Sequence, residues 1–271
     1  MPSTQEEWRK IAYDYEQQWN FNHCVGSLDG KHIVIQSPMN SGSEFYNYKQ
    51  YFSIVLMVLV DANYCFLFVD CGSQGRLSDG AVFRNSELYR RIEENQIHFP
   101  PDEPLVEGGP PLPYVFVGDD AFGLSNRIMK PYPGLHDKGS KERVFNYRLS
   151  RARRVVENVF GIMASVFRVL RKPMLLQPDK AALITMTCAY LHNFLRKSKT
   201  SSNYTPLDAF DSEKEGEITL GSWRQDSEGI SSLQPLRRMP RRSKPEAKNI
   251  RDNFRDFYVT DGKLEWQNRY C

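Results

Sequence analysis

The nine residues 52–60, FSIVLMVLV, carry one polar side chain, Ser53, and no charge. Such a run is too short to cross a bilayer and too evenly apolar for an amphipathic element. It fits a strand covered on both faces, and therefore demands a sheet with layers above and below it. A turn at 61–64, DANY, follows, and then CFLFVDCG at 65–72, apolar again. Two apolar runs across a short turn predict a hairpin at the centre of the fold. Residues 25–37, VGSLDGKHIVIQS, alternate around His32–Ile35 and predict a strand ahead of that hairpin.

Beyond the glycine-containing loop 72–80, GAVFRNSELYRRIEENQ has helical periodicity through Val82, Leu88 and Ile92, with Ser78 or Asp79 as its cap. Residues 100–113 are rich in Pro and Gly and predict a surface loop; YVFVG at 114–118 predicts a fourth strand. Residues 120–140 read as loop with one helical turn. A long helix is expected over 150–170, with the stripe Val155, Val159, Ile162, Met163, Val166 and Leu170, and another over 177–198, opened by Pro178 and Asp179. Three early antiparallel strands, a helix, and a fourth strand returning beside the first make an α/β core. That order resembles the ribonuclease-H-like fold, a central mixed sheet flanked by helices. Residues 1–23 form a short lead-in, 24–197 the folded domain, 198–248 a disordered linker rich in Ser, Pro and charge, and 249–271 a short C-terminal segment that regains aromatics.

Composition narrows the function. Hydrophobic residues make up 40%, enough for a core, yet mean hydropathy is −0.56. No stretch approaches about 18 apolar residues, which argues against a transmembrane helix, and the N-terminus lacks the apolar centre of a signal peptide. Five cysteines without a CxxC pair or a zinc-ligand rhythm predict reduced thiols in an intracellular protein. The net charge of +3 is unevenly spread: Ala121–Lys172 holds twelve Lys and Arg against three acids. A basic band inside a folded region suits a polyanion, although a solvated helix face would give the same count. RRMPRRSK at 237–244 is a second basic run, matching a nuclear-localisation patch or a solubilising stretch.

Three acids stand out by position. Asp29 lies within the first strand, Asp119 follows the glycine that ends the fourth, and Glu157 sits at the edge of the long helix's apolar stripe. Neighbouring strands would bring the two aspartates together, and the helix would bring Glu157, with Gly161 leaving space beside it. Clustered carboxylates repel and take up protons unless a cation holds them. Mg²⁺ or Mn²⁺, which prefer hard oxygen ligands, would do so and would support two-metal hydrolysis of a phosphodiester. Each acid also has a plain reading: Asp29 as a turn residue, Asp79 as a helix cap, Glu157 as a surface partner of Arg153 or Arg154. Asp61 and Asp70 are accounted for by turn and hairpin, and His192 by packing. No GxSxG and no persuasive Cys–His pair offers a covalent nucleophile.

Residues 24–195 resemble the DDE endonuclease domain of PIF/Harbinger transposases and of the nucleases derived from them. The resemblance rests on GSLDGKHI, LSDGAVFRNSEL, VGDDAFGL, RRVVENVFGIMASVFRVL and CAYLHNFL, in that order. It implies metal-dependent DNA cleavage in the nucleus, with the cytoplasm as a further location. It implies Asp29, Asp119 and Glu157 as the catalytic acids, 38 residues separating the last two, and Asp79 as a fourth metal ligand; Asp120 is then a neighbour. Arg148, Arg151, Arg153 and Arg154, leading into the Glu157 helix, are expected to meet DNA phosphates. Family members carry an N-terminal helical DNA-binding region that the residues ahead of the first strand cannot house. Either the gene model is truncated, or site recognition is expected from a separate Myb/SANT-type partner; a homo-oligomer is a further expectation. The alternative is a catalytically inactive domesticated transposase serving as a DNA-binding or protein-interaction module; a third reading is cleavage of RNA–DNA hybrids.

Overall fold

In the computed structural model, which describes residues 1–206, 208–226, 232–235 and 243–271, the chain opens with helix α1 (Gln5–Trp19). Thr4 and Glu7 close a reciprocal capping box at its start. Its stripe Trp8, Ala12, Tyr15 and Trp19 is buried, and the Tyr15 hydroxyl donates to the Val60 carbonyl at 2.7 Å. Strands β1 (Cys24–Val34), β2 (Ser53–Val60) and β3 (Phe66–Gln74) form the expected antiparallel meander. Every residue of β2 is buried. Ile54, Leu56, Val58 and Val60 enter one core, and Val55, Met57 and Leu59 the other. Two covered faces leave no polar alternation to see, which is why the run is uniformly apolar.

The segment after β3 departs from expectation. The single helix expected over 80–96 is two, α2 (Asp79–Asn85) and α3 (Glu87–Glu93). Ser86 between them takes an extended conformation, and its hydroxyl accepts the Tyr89 N–H at 3.2 Å, capping α3. Strands β4 (Glu103–Pro104) and β5 (Pro111–Leu112) pair within the proline-rich loop. Strand β6 (Val115–Val117) then runs parallel to β1, and β7 (Ile128–Met129) parallel to β6, giving the sheet order β3-β2-β1-β6-β7.

Helix α4 (Lys141–Val166) covers one face of the sheet and is 26 residues long, opening well before the expected 150. Its early turns bury Val144, Phe145 and Leu149 but also Arg148 and Arg151; buried arginines interrupt the apolar stripe and hide the start. Helix α5 (Pro178–Lys197) begins on a proline as expected and buries Ala181, Thr185, Cys188, Ala189 and His192. Among the described residues no helix is long and apolar enough to cross a membrane. All five cysteines are free.

The region expected to be a disordered linker is different. Its described residues form α6 (Ser201–Tyr204), the hairpin β8 (Ser212–Lys214) and β9 (Glu217–Thr219), α7 (Trp223–Asp226) and β10 (Leu233–Pro235). Helices α8 (Pro245–Val259) and α9 (Gln267–Tyr270) close the chain, α8 packing on α4. The anchor is polar. Fully buried Asn158 on α4 donates to the Asp211 carbonyl (3.1 Å) and accepts from the Asp211 N–H (2.9 Å) and the Trp223 indole N–H (3.0 Å). A Cβ at Gly161 would lie 2.3 Å from the Trp223 ring. The space expected beside Glu157 is therefore filled by tryptophan. A composition poor in apolar residues looked like disorder because these segments are held by hydrogen bonds and ion pairs. Most of the basic run 237–244 lies outside the described residues.

Two interior histidines make stability pH-dependent. His192 is buried, its ring nitrogens bonded at 2.7 Å each to the Tyr204 hydroxyl and the Tyr64 carbonyl. It is thus the packed residue that the sequence suggested. His32 is bonded through Nδ1 to the Ser53 hydroxyl at 3.0 Å. Burial lowers both rings from 6.5 to about 4, with Lys49 assisting at His32 and Arg196 at His192. Between those values the unfolded chain binds protons that the folded chain refuses, so stability falls as pH drops from about 6.5 toward 4 and is flat above. The loss is expected to be on the order of 2 kcal/mol per ring by pH 5. Urea titrations at pH 7.5 and 5.0 check it; equal stabilities would contradict the burial of neutral rings.

Candidate active site

The site grows from the register of two strands. Ser27 on β1 faces Val117 on β6 across the parallel pair. Asp29 lies two residues further along β1; Asp119 lies two residues past Val117, beyond the end of β6. Side chains alternate along strands, so each repeats the direction of the residue two before it. Ser27 points at α4, its hydroxyl donating to the Ala152 carbonyl at 3.4 Å, and Val117 belongs to the same core layer as α4. Asp29 therefore stands on the α4 face of β1, and Asp119 follows the end of the neighbouring parallel strand. This is where open α/β sheets present ligand groups.

Asp29 is only 6% exposed. Its Oδ1 accepts the Gly30 N–H at 2.8 Å, and its Oδ2 lies 3.3 Å from Lys31 Nζ. Asp119 is half-buried and accepts the Ala121 N–H at 2.9 Å, an Asx turn that fixes the carboxylate after the strand ends. Asp120 pairs instead with Lys130, Oδ1 to Nζ 3.9 Å. Glu157 is exposed on α4, with Arg153 at 3.9 Å. Asp79 is the first residue of α2 and not its cap, which is Ser78; its side chain lies outside the described residues. Among the described residues no three His, Cys, Asp or Glu side chains form a group that could hold a metal ion. The structure thus sets the strands that carry or precede the two aspartates side by side and leaves Glu157 turned to Arg153.

The donor chemistry suits a hard divalent cation. The two aspartates offer oxygen only, and buried Asp29 already draws a cation, Lys31, to its outer oxygen. Glu157 is held weakly, because a half-exposed ion pair contributes at most about 1 kcal/mol; a change of rotamer is cheap.

The four arginines expected at phosphates divide. Arg148 is 2% exposed and donates to the Asn20 carbonyl (2.9 Å), the Gly262 carbonyl (3.0 Å) and Gln267 (3.1 Å). Arg151 is 3% exposed and faces Glu213 at 3.5 Å; Arg154 forms an ion pair with the same carboxylate. Buried Glu213 draws Arg151 and Arg154 inward, while backbone carbonyls and Gln267 hold Arg148; all three tie the C-terminal segments to α4. Arg153, with a side chain 16% exposed, lies 3.9 Å from Glu157. Two cations went unremarked in the sequence. Lys31 was findable, since strand alternation puts it on Asp29's face; nothing local pointed to Lys130 at Asp120.

This strand order, a mixed sheet flanked by helices, is that of a ribonuclease-H-like domain. The family model described as DDE superfamily endonuclease matches residues 28–193, and the chain belongs to that family. Such endonucleases generally use divalent metals. Over 190 residues the chain is 29% identical to "Protein ALP1-like" of Arabidopsis thaliana, covering 69% of this chain and 46% of that protein. It is 25% identical over 176 residues to "Putative nuclease HARBI1" of Mus musculus, covering 62% and 45%, and 25% identical over 173 residues to the protein of that name in Homo sapiens. These relatives agree with the Harbinger-type resemblance. The chain spans somewhat less than half the length of the curated relatives it matches. No solved structure matches it.

Proposed function

We propose that the chain is the catalytic domain of a divalent-metal-dependent DNA endonuclease of PIF/Harbinger transposase origin. The observation that supports this reading is the parallel pairing of β1, which holds Asp29, with β6, which ends two residues before Asp119. Asp29 and Asp119 would hold Mg²⁺ or Mn²⁺, with Glu157 and Asp79 as further ligands. When bound, such an ion lowers the pKa of a water and offsets charge developing on the phosphodiester. The chain's own part is placement. The Gly30 N–H fixes one Asp29 oxygen and Lys31 lies at the other; the Asx turn at 119–121 orients the Asp119 carboxylate. Glu157 joins by leaving Arg153, which is then available to a DNA phosphate. We place the protein in the nucleus, acting on DNA with a Myb/SANT-type partner and as a homo-oligomer. The test is nicking of supercoiled DNA: activity is expected with Mn²⁺ or Mg²⁺ and none in excess chelator, and metal-independent nicking would sink the reading.

The second reading is an inactive DNA-binding or interaction module. It draws on the lack of a three-ligand group among the described residues. Thermal melts discriminate: a metal site raises the melting temperature with ion concentration, and a pure binding module does not.

A further inference from the structure

Lys31 takes no part in the reading above, yet its Nζ lies 3.3 Å from the outer Asp29 oxygen, Oδ2. Both partners are largely buried, with side-chain exposures of 20% and 8%. The ammonium also lies over the Phe160 ring of α4, 5.3 Å from its centroid. The backbone beneath it is fixed from both sides, because Lys31 pairs with Leu56 on β2 and with Pro235 on β10. Only the flexible stem can move the charge. The other Asp29 oxygen is already engaged by the Gly30 N–H. An incoming cation must therefore use the oxygen that Lys31 holds.

We propose that Lys31 is the resident counter-cation of Asp29, a positioning residue that keeps the buried carboxylate oriented in the ion-free protein and competes with a divalent ion for Oδ2. This rests on the metal reading of Asp29 given above. Two cations cannot share one carboxylate oxygen at close range without strong repulsion. Ion entry thus swings the ammonium away on its stem, toward the open side where a phosphodiester would arrive. Lys31 sets the ion concentration at which the site fills.

The experiment is a thermal-melt titration with Mn²⁺ alone, on wild type, Lys31→Met and Lys31→Arg. Methionine keeps an apolar stem over Phe160 and removes the charge. Without ion, Lys31→Met should melt below wild type, because Asp29 loses its partner. With Mn²⁺ it should gain more than wild type, with the half-maximal concentration lowered about tenfold, while Lys31→Arg stays near wild type. A merely structural lysine would lower the melting temperature equally with and without ion, and that result overturns the proposal. An unchanged half-maximal concentration in Lys31→Met also overturns it. If wild type shows no Mn²⁺-linked shift, the metal reading itself has failed, and this proposal with it. Should Lys31→Met not fold, Lys31→Gln serves in its place under the same criteria.

Discussion

Asp29→Asn and Asp119→Asn are each expected to reduce metal-dependent nicking of supercoiled DNA by at least about 10³-fold, equivalent to ~4 kcal/mol of transition-state stabilisation. The expectation follows from charge and not from shape. An amide is nearly isosteric with a carboxylate but offers a divalent cation only a neutral oxygen, while the ion's contribution to phosphodiester chemistry is worth several kcal/mol. The two variants differ usefully in their side effects. In Asp119→Asn the amide oxygen can still accept the Ala121 N–H, so the turn survives. In Asp29→Asn the contact with the Lys31 ammonium loses its charge, and some stability should go with it. Asp119→Asn is thus the cleaner probe, with circular dichroism as the check that the fold is intact. Nicking at the wild-type rate in both variants would remove the two aspartates from the chemistry.

Glu213→Ala is expected to destabilise the fold by about 3–5 kcal/mol, although residue 213 lies in the stretch whose composition suggested a linker. The Glu213 side chain is 0% exposed and is shared by Arg151 and Arg154. It also accepts the Tyr147 hydroxyl at 2.5 Å. Removing it leaves two guanidinium groups, themselves 3% and 12% exposed, without their counter-charge. Breaking one side of a buried ion pair costs far more than the pair contributes, because the remaining charge stays desolvated. Chemical denaturation should show a lower midpoint with an unchanged slope. A loss below about 1 kcal/mol would mean that the β8–β9 hairpin is not docked on α4 as described.

Local patterns carried much of the architecture. The uniform apolarity of 52–60 required a central strand, and VFVG required a strand that stops just before Asp119, because apolar burial and glycine act within a few residues. The break at Ser86 was not visible, since a serine can sit within a helix or cap the next one, and packing chooses. The fate of Arg148, Arg151 and Arg154 was also hidden. A basic run has the same composition whether it faces water, DNA or a buried glutamate about 60 residues away in sequence.

Amphipathic period and turn chemistry, which are properties of neighbouring residues, thus determined by themselves the element types, the α/β class and the candidate acids. Only the tertiary structure decided which distant charges meet: Asp120 with Lys130, and three arginines with the C-terminal segments. Charge pairing acts through space at a few ångströms, between residues whose separation along the chain carries no record of the contact.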